Sequence, residues 1–103
     1  MIPYKFHQKA HFEFIESYRW YELKQKGLGD RFMNCVEERL TRISQQPELY
    51  PKKHRNLREI KVRNFPYSIV YEYFEKLNVI LIVAVYHNKR NPKRKYRKLP
   101  KNS

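Results

Sequence analysis

A chain of 103 residues and 12.9 kDa holds one compact domain and excludes a multidomain enzyme with separate cofactor and substrate lobes. Lys and Arg number 23 against 10 Asp and Glu, so a net charge of +13 and a pI near 10.0 point to a polyanionic or acidic partner: RNA, DNA, the ribosome or an acidic protein. The longest apolar run, residues 79–86, falls far short of the roughly 18 to 20 residues that span a bilayer, and the single Cys35 makes no internal disulfide.

In chain order, Ile2, Tyr4 and Phe6 alternate with other residues and predict a short strand, with Pro3 at its start or edge. The opening residues carry no charged stretch followed by an apolar core, so no export signal is expected. From residue 7 to 26 the period lengthens. Ala10, Phe14, Tyr18 and Tyr21 recur at helical spacing, with Glu13, Glu16, Arg19, Glu22 and Lys26 on other faces. Gly27 and Gly29, the two glycines of the chain, are expected in the reversal, where a left-handed residue stops the first helix. Asp30 favours the start of a second helix with the stripe Phe32, Val36, Leu40 and Ile43, closed by Pro47. So short a turn makes the two an antiparallel hairpin.

Residues 47–56, with two prolines and a basic cluster, read as a surface loop. The period then returns to two. Ile60 and Val62 alternate with Glu59, Lys61 and Arg63; Tyr67, Ile69, Tyr71 and Tyr73 oppose Val70 and Phe74; residues 79–86 are apolar on both faces, as an interior strand would be. The expected fold is α+β, in the order β-α-α-β-β-β: a helical hairpin packed on one face of a small antiparallel sheet, the other face left open. Residues 1–88 form this single domain, and 89–103 are its basic carboxy-terminal segment. Charge is lopsided along the chain. Residues 1–48 hold 8 basic and 7 acidic side chains, 49–88 hold 7 and 3, and 89–103 hold 8 and none.

That order, together with Trp20-Tyr21, Gly27-Leu28-Gly29-Asp30-Arg31-Phe32 and Pro47-Glu48-Leu49-Tyr50-Pro51, resembles the RelE/ParE superfamily of toxins from type II toxin-antitoxin pairs. So do residues 60–71, running from Ile60-Lys61-Val62 to Val70-Tyr71, and residues 83–92, with Tyr86-His87-Asn88-Lys89-Arg90. The resemblance spans nearly the whole chain and is nearer the ParE-like plasmid-stabilisation branch. It implies a cytoplasmic toxin neutralised by a cognate acidic antitoxin, with no cofactor and no membrane partner. Two targets follow from it. The ParE branch binds DNA gyrase and poisons it through a surface; the ribonuclease branch cleaves messenger RNA on the ribosome.

Cleavage requires a base for the 2'-hydroxyl, an acid for the leaving oxygen and cations at phosphorus. His87 is the residue suited to proton transfer near neutrality; Arg63 and Arg90 are suited to clamp phosphate, and Tyr96 to stack a base or donate a proton. Lys61, Arg63, Lys89, Arg90, Lys93, Arg94, Tyr96 and Arg97 are the expected target-binding or nucleic-acid-binding residues. The bland alternative, a solvated strand face beside a basic tail, also fits Glu59, Lys61 and Arg63. An accessory RNA-binding protein without toxic action is the third reading. His7 and His11 share a helix face without an evident third ligand, so no metal is expected.

Overall fold

The computed structural model describes residues 1–89. Strand β1 (Tyr4–Phe6) turns directly into helix α1 (Gln8–Lys24), whose first turn is capped by His7: its Nδ1 accepts the Lys9 amide at 3.1 Å. Helix α2 (Leu28–Gln45) follows after a three-residue break. Its stripe is the expected one, and Phe32, Val36, Leu40 and Ile43 are all buried. Strands β2 (Lys52–His54), β3 (Leu57–Lys61), β4 (Tyr67–Phe74) and β5 (Val79–His87) complete the chain, with a 3₁₀ turn, Glu75–Leu77, joining the last two.

The two helices pack on one face of a five-stranded sheet ordered β1-β5-β4-β3-β2. The α+β class and the interior place of the last apolar strand are as expected. Two features of the sheet are not. It is mixed rather than antiparallel, because β1 runs parallel to β5, with Tyr4 opposite Ile80 and Phe6 opposite Ile82. The helical hairpin supplies the long crossover a parallel pair requires. The predicted loop also holds an edge strand: Lys52 pairs with Arg58 and His54 with Leu57, an exposed and lysine-bearing rim that discourages further strand addition.

The inner core is aromatic. Phe32 lies within 4.9–6.0 Å, ring centre to ring centre, of Phe14, Tyr21, Phe65 and Tyr67. The buried Tyr71 hydroxyl donates to the Pro47 carbonyl at 2.6 Å, and burial holds its pKa above the ordinary tyrosine range. Beside it Arg58 donates to the carbonyls of Glu48 and Tyr50, at 3.2 and 2.6 Å. Between them these two side chains pin the segment that leads from α2 to β2.

Three expectations are corrected here. The opposite face of the sheet is not open and wet: Leu57, Val70, Val83, Ala84 and Tyr86 form a second buried apolar cluster there. Glu13, assigned to a polar helix face, is buried, and its Oε1 accepts the Val85 amide at 3.3 Å. The reason is that β1 pairs with β5 only as far as Ile82, and beyond that point a side chain of α1 takes over the acceptor role. Gly29 is not a turn residue but lies within α2, where an added Cβ would stand 2.7 Å from the Tyr18 carbonyl oxygen. Of the two glycines, only Gly27, at φ 90°, is left-handed, and it serves as the N-cap of α2. The orphan amides of Gly27 and Gly29 each donate to the Glu22 carboxylate at 2.9 Å, so α1 caps α2 with a charge of the favourable sign.

Candidate functional site

β3, β4 and β5 meet at one end of the sheet: β3 leaves at Lys61, β4 enters at Tyr67 and β5 ends at His87. The turn between β3 and β4 is tight, with Asn64 at φ 66°, the Val62 amide donating to the Tyr67 carbonyl at 2.9 Å, and the Tyr67 amide to that of Phe65 at 2.8 Å. Phe65 is anchored below by Tyr21 and Phe32. Past β5 the Asn88 amide donates to the Pro66 carbonyl at 2.8 Å, and the buried Ser68 hydroxyl donates to the Asn88 side-chain carbonyl at 2.6 Å. The turn and the segment after β5 are thereby tied into one ledge. It carries the exposed cations Lys61, Arg63 and Lys89, none of which has an ion-pair partner among the described residues.

The expected residues divide across this ledge. Glu59 and Lys61 lie on the outer face, opposite Val70 and Ser68, and the Tyr86 hydroxyl donates to Glu59 Oε2 at 2.8 Å. His87 lies on the inner face. It is the cross-strand partner of Tyr67, whose ring is 5.2 Å away at 75°, and its Nδ1 accepts the Lys89 amide at 3.1 Å. With Nδ1 accepting, the proton of the neutral imidazole sits on Nε2. Strict alternation along residues 79–87 would put His87 on the outer face with Glu59 and Lys61. A bulge in β5 reverses it: Val70 faces Ala84 but Tyr71 faces Ile82, so Val83 is an extra residue. Every side chain after it changes face.

Arg63 is brought to the same end as His87, exposed in the turn. Arg90, Lys93, Arg94, Tyr96 and Arg97 lie outside the described residues. Ser68 and Asn88, which fix the ledge, were not singled out from sequence; the only signal was a lone serine in an aromatic strand. No three His, Cys, Asp or Glu side chains among the described residues group as a metal site, and no described helix is long and apolar enough to cross a membrane. Chemically the ledge presents positive charge on a rigid frame. It suits docking to an acidic or phosphate-bearing surface.

Comparison with known proteins agrees with this architecture. The family model described as the ParE toxin of the type II toxin-antitoxin system parDE matches residues 4–92. No curated protein matches the sequence. Among solved structures, the chromosomal ParDE toxin-antitoxin system of P. aeruginosa aligns with a TM-score of 0.72 at 15% identity, over 84% of this chain and 96% of that one. The isolated E. coli RelE toxin aligns at 0.63 and 17% identity, over 90% of each chain. The intact E. coli RelBE toxin-antitoxin complex aligns at 0.64 and 19% identity, over 87% of this chain and 100% of that one. At these identities the structural likenesses establish the shared fold.

Proposed function

The chain belongs to the ParE toxin family of type II toxin-antitoxin systems, and on that premise we propose that it arrests growth by binding DNA gyrase, without hydrolysing a substrate, until an acidic antitoxin neutralises it in the cytoplasm. The observation that supports a binding surface is the ledge itself, which holds the exposed cations Lys61, Arg63 and Lys89 on one tied frame. His87 is on the inner face against Tyr67, whereas Glu59 and Lys61 are on the outer face and Glu59 accepts the Tyr86 hydroxyl. General acid and base must reach the same phosphodiester within hydrogen-bond distance, so His87 does not share proton transfer with Glu59.

A surface role asks only that Lys61, Arg63 and Lys89 be accessible and held in a fixed relation, which the Ser68, Asn88 and Pro66 contacts support. The sequence that follows, with Lys93, Arg94, Tyr96 and Arg97, adds further positive charge to the chain. It favours an acidic antitoxin by steering and complementarity. The antitoxin complexes among the structural neighbours support a partner of that kind.

The test pairs two assays on the purified full chain. Loss of gyrase supercoiling with intact ribosome-bound message is expected. Codon-linked cutting of that message with normal supercoiling would replace this reading with the RelE-like endoribonuclease. In that event His87→Ala or Arg90→Ala would be expected to lower cleavage about tenfold or more.

A further inference from the structure

The solvent face of α1 carries large apolar side chains among its charged ones. Phe12 is 62% exposed and Leu23 is 89% exposed, at opposite ends of the helix. They are eleven residues apart, three helical turns, and so stand on one line along the axis. Glu16 and Arg19 lie between them on the same face, both exposed, and neither has an ion-pair partner among the described residues. Ile15 and the 39% exposed Trp20 flank the line on either side. Ala10, Glu13 and Phe14 on the other side of the helix are buried against the sheet.

The prominent positions of this face fall in pairs about one midpoint. Counted from a point midway between Ser17 and Tyr18, Phe12 and Leu23 are equally far out, as are Glu16 and Arg19, and as are Ile15 and Trp20. We infer that this face of α1 is a self-complementary surface, and that two copies of the chain dimerise by packing α1 antiparallel on α1 across a two-fold axis at that midpoint. The axis sets Phe12 of each copy against Leu23 of the other and Glu16 of each against Arg19 of the other. Both the apolar and the charged positions find opposite partners, as an isologous contact requires. The Ile15 side chains approach along one flank of the seam and the Trp20 rings along the other.

Charge permits this pairing and disfavours others. Residues 1–48, with 8 basic and 7 acidic groups, form the near-neutral part of a strongly basic chain, so the contact brings together the halves that repel least. A single helix pair buries less than the roughly 1,200–2,000 Å² of a standard interface, so the dimer is weak, with a dissociation constant on the order of 10–300 µM. The ledge at the end of the sheet is not used, and the inference does not depend on the toxin's target.

Sedimentation equilibrium of the full chain, freed of antitoxin, tests this. The unaltered chain is expected to pass from monomer to dimer in that concentration range, and Leu23→Ser to weaken the dimer about tenfold or more. The charged pair gives the sharper test, because it occurs twice. Glu16→Arg alone and Arg19→Glu alone are each expected to weaken the dimer about threefold to tenfold, and the double reversal to return it to within about twofold of the original. All three substituted positions are exposed, and circular dichroism checks that each variant folds. A chain that stays monomeric up to about 1 mM, or a dimer indifferent to Leu23→Ser and to both single reversals, would overturn the inference. So would a monomer whose affinity for its antitoxin falls with Leu23→Ser, which would give the face to the antitoxin.

Discussion

The helical hairpin and the ledge at the end of the sheet use their polar groups in opposite ways. In the hairpin several are used within the fold: Glu22 caps α2, Glu13 takes the Val85 amide, the Tyr18 hydroxyl donates to Asp30 at 3.1 Å, and Ser44 holds the Ile2 carbonyl. On the ledge the buried Ser68 and its partner Asn88 fix the frame, and the charges of Lys61, Arg63 and Lys89 are presented outward. The difference separates two kinds of charged residue that look alike in the sequence. Substitutions at the packed positions of the hairpin should therefore cost stability, and substitutions on the ledge should cost binding.

The largest effect is expected at Phe32, the ring shared by α1, α2 and the sheet. Phe32→Ala should destabilise by about 3–5 kcal/mol in denaturant unfolding. Next comes Gly29→Ala. Its new methyl would meet the Tyr18 carbonyl oxygen at 2.7 Å and the Glu22 side chain at 2.8 and 2.9 Å, so a loss of about 1–3 kcal/mol is expected, measured in the same way. A neutral outcome there would mean that the α1–α2 contact is looser than the geometry requires.

Tyr71 joins the two regions, since it stands on β4 and holds the end of the hairpin at Pro47. Burial raises its pKa, so the folded chain keeps a proton that the unfolded chain loses. The resulting stabilisation is complete below about pH 10 and declines as the pH rises above the ordinary tyrosine value. Tyr71→Phe should cost about 1 kcal/mol at neutral pH and flatten the alkaline fall of stability. An unchanged alkaline slope would assign that fall to other groups.

The smallest stability effect belongs to the ledge. Lys61→Glu and Arg63→Glu should each change unfolding free energy by no more than about 0.5 kcal/mol. Each should nonetheless weaken binding to an acidic partner and reduce its dependence on salt. Losses of stability comparable to that of Gly29→Ala would erase the distinction between the regions.

Much of this fold was legible because burial imposes periodicity. The stripe Phe32, Val36, Leu40, Ile43 and the alternation of Tyr67, Ile69 and Tyr71 mark faces that must be apolar, and the structure places all of them in the inner core. What periodicity does not encode is a single inserted residue. Val83 looks like any other member of an apolar run, yet as the bulge it moves Tyr86 to the outer face and His87 to the inner one. The direction of β1 was hidden for a related reason, since three residues carry no information about which neighbour they join. Glu13 and Gly29 were misassigned because their roles depend on what lies across the interface, a strand end and the Tyr18 carbonyl. The site followed the same rule: the cations were recognisable as a group, and their relation to His87 was not.

The most direct test of a binding role is therefore gyrase supercoiling inhibited by the unaltered chain and by His87→Ala side by side. Inhibition by both, with half-maximal concentrations within about threefold of each other, is expected if His87 does no chemistry. Full supercoiling in the presence of the unaltered chain, together with ribosome-dependent cleavage of message that His87→Ala abolishes, would contradict it.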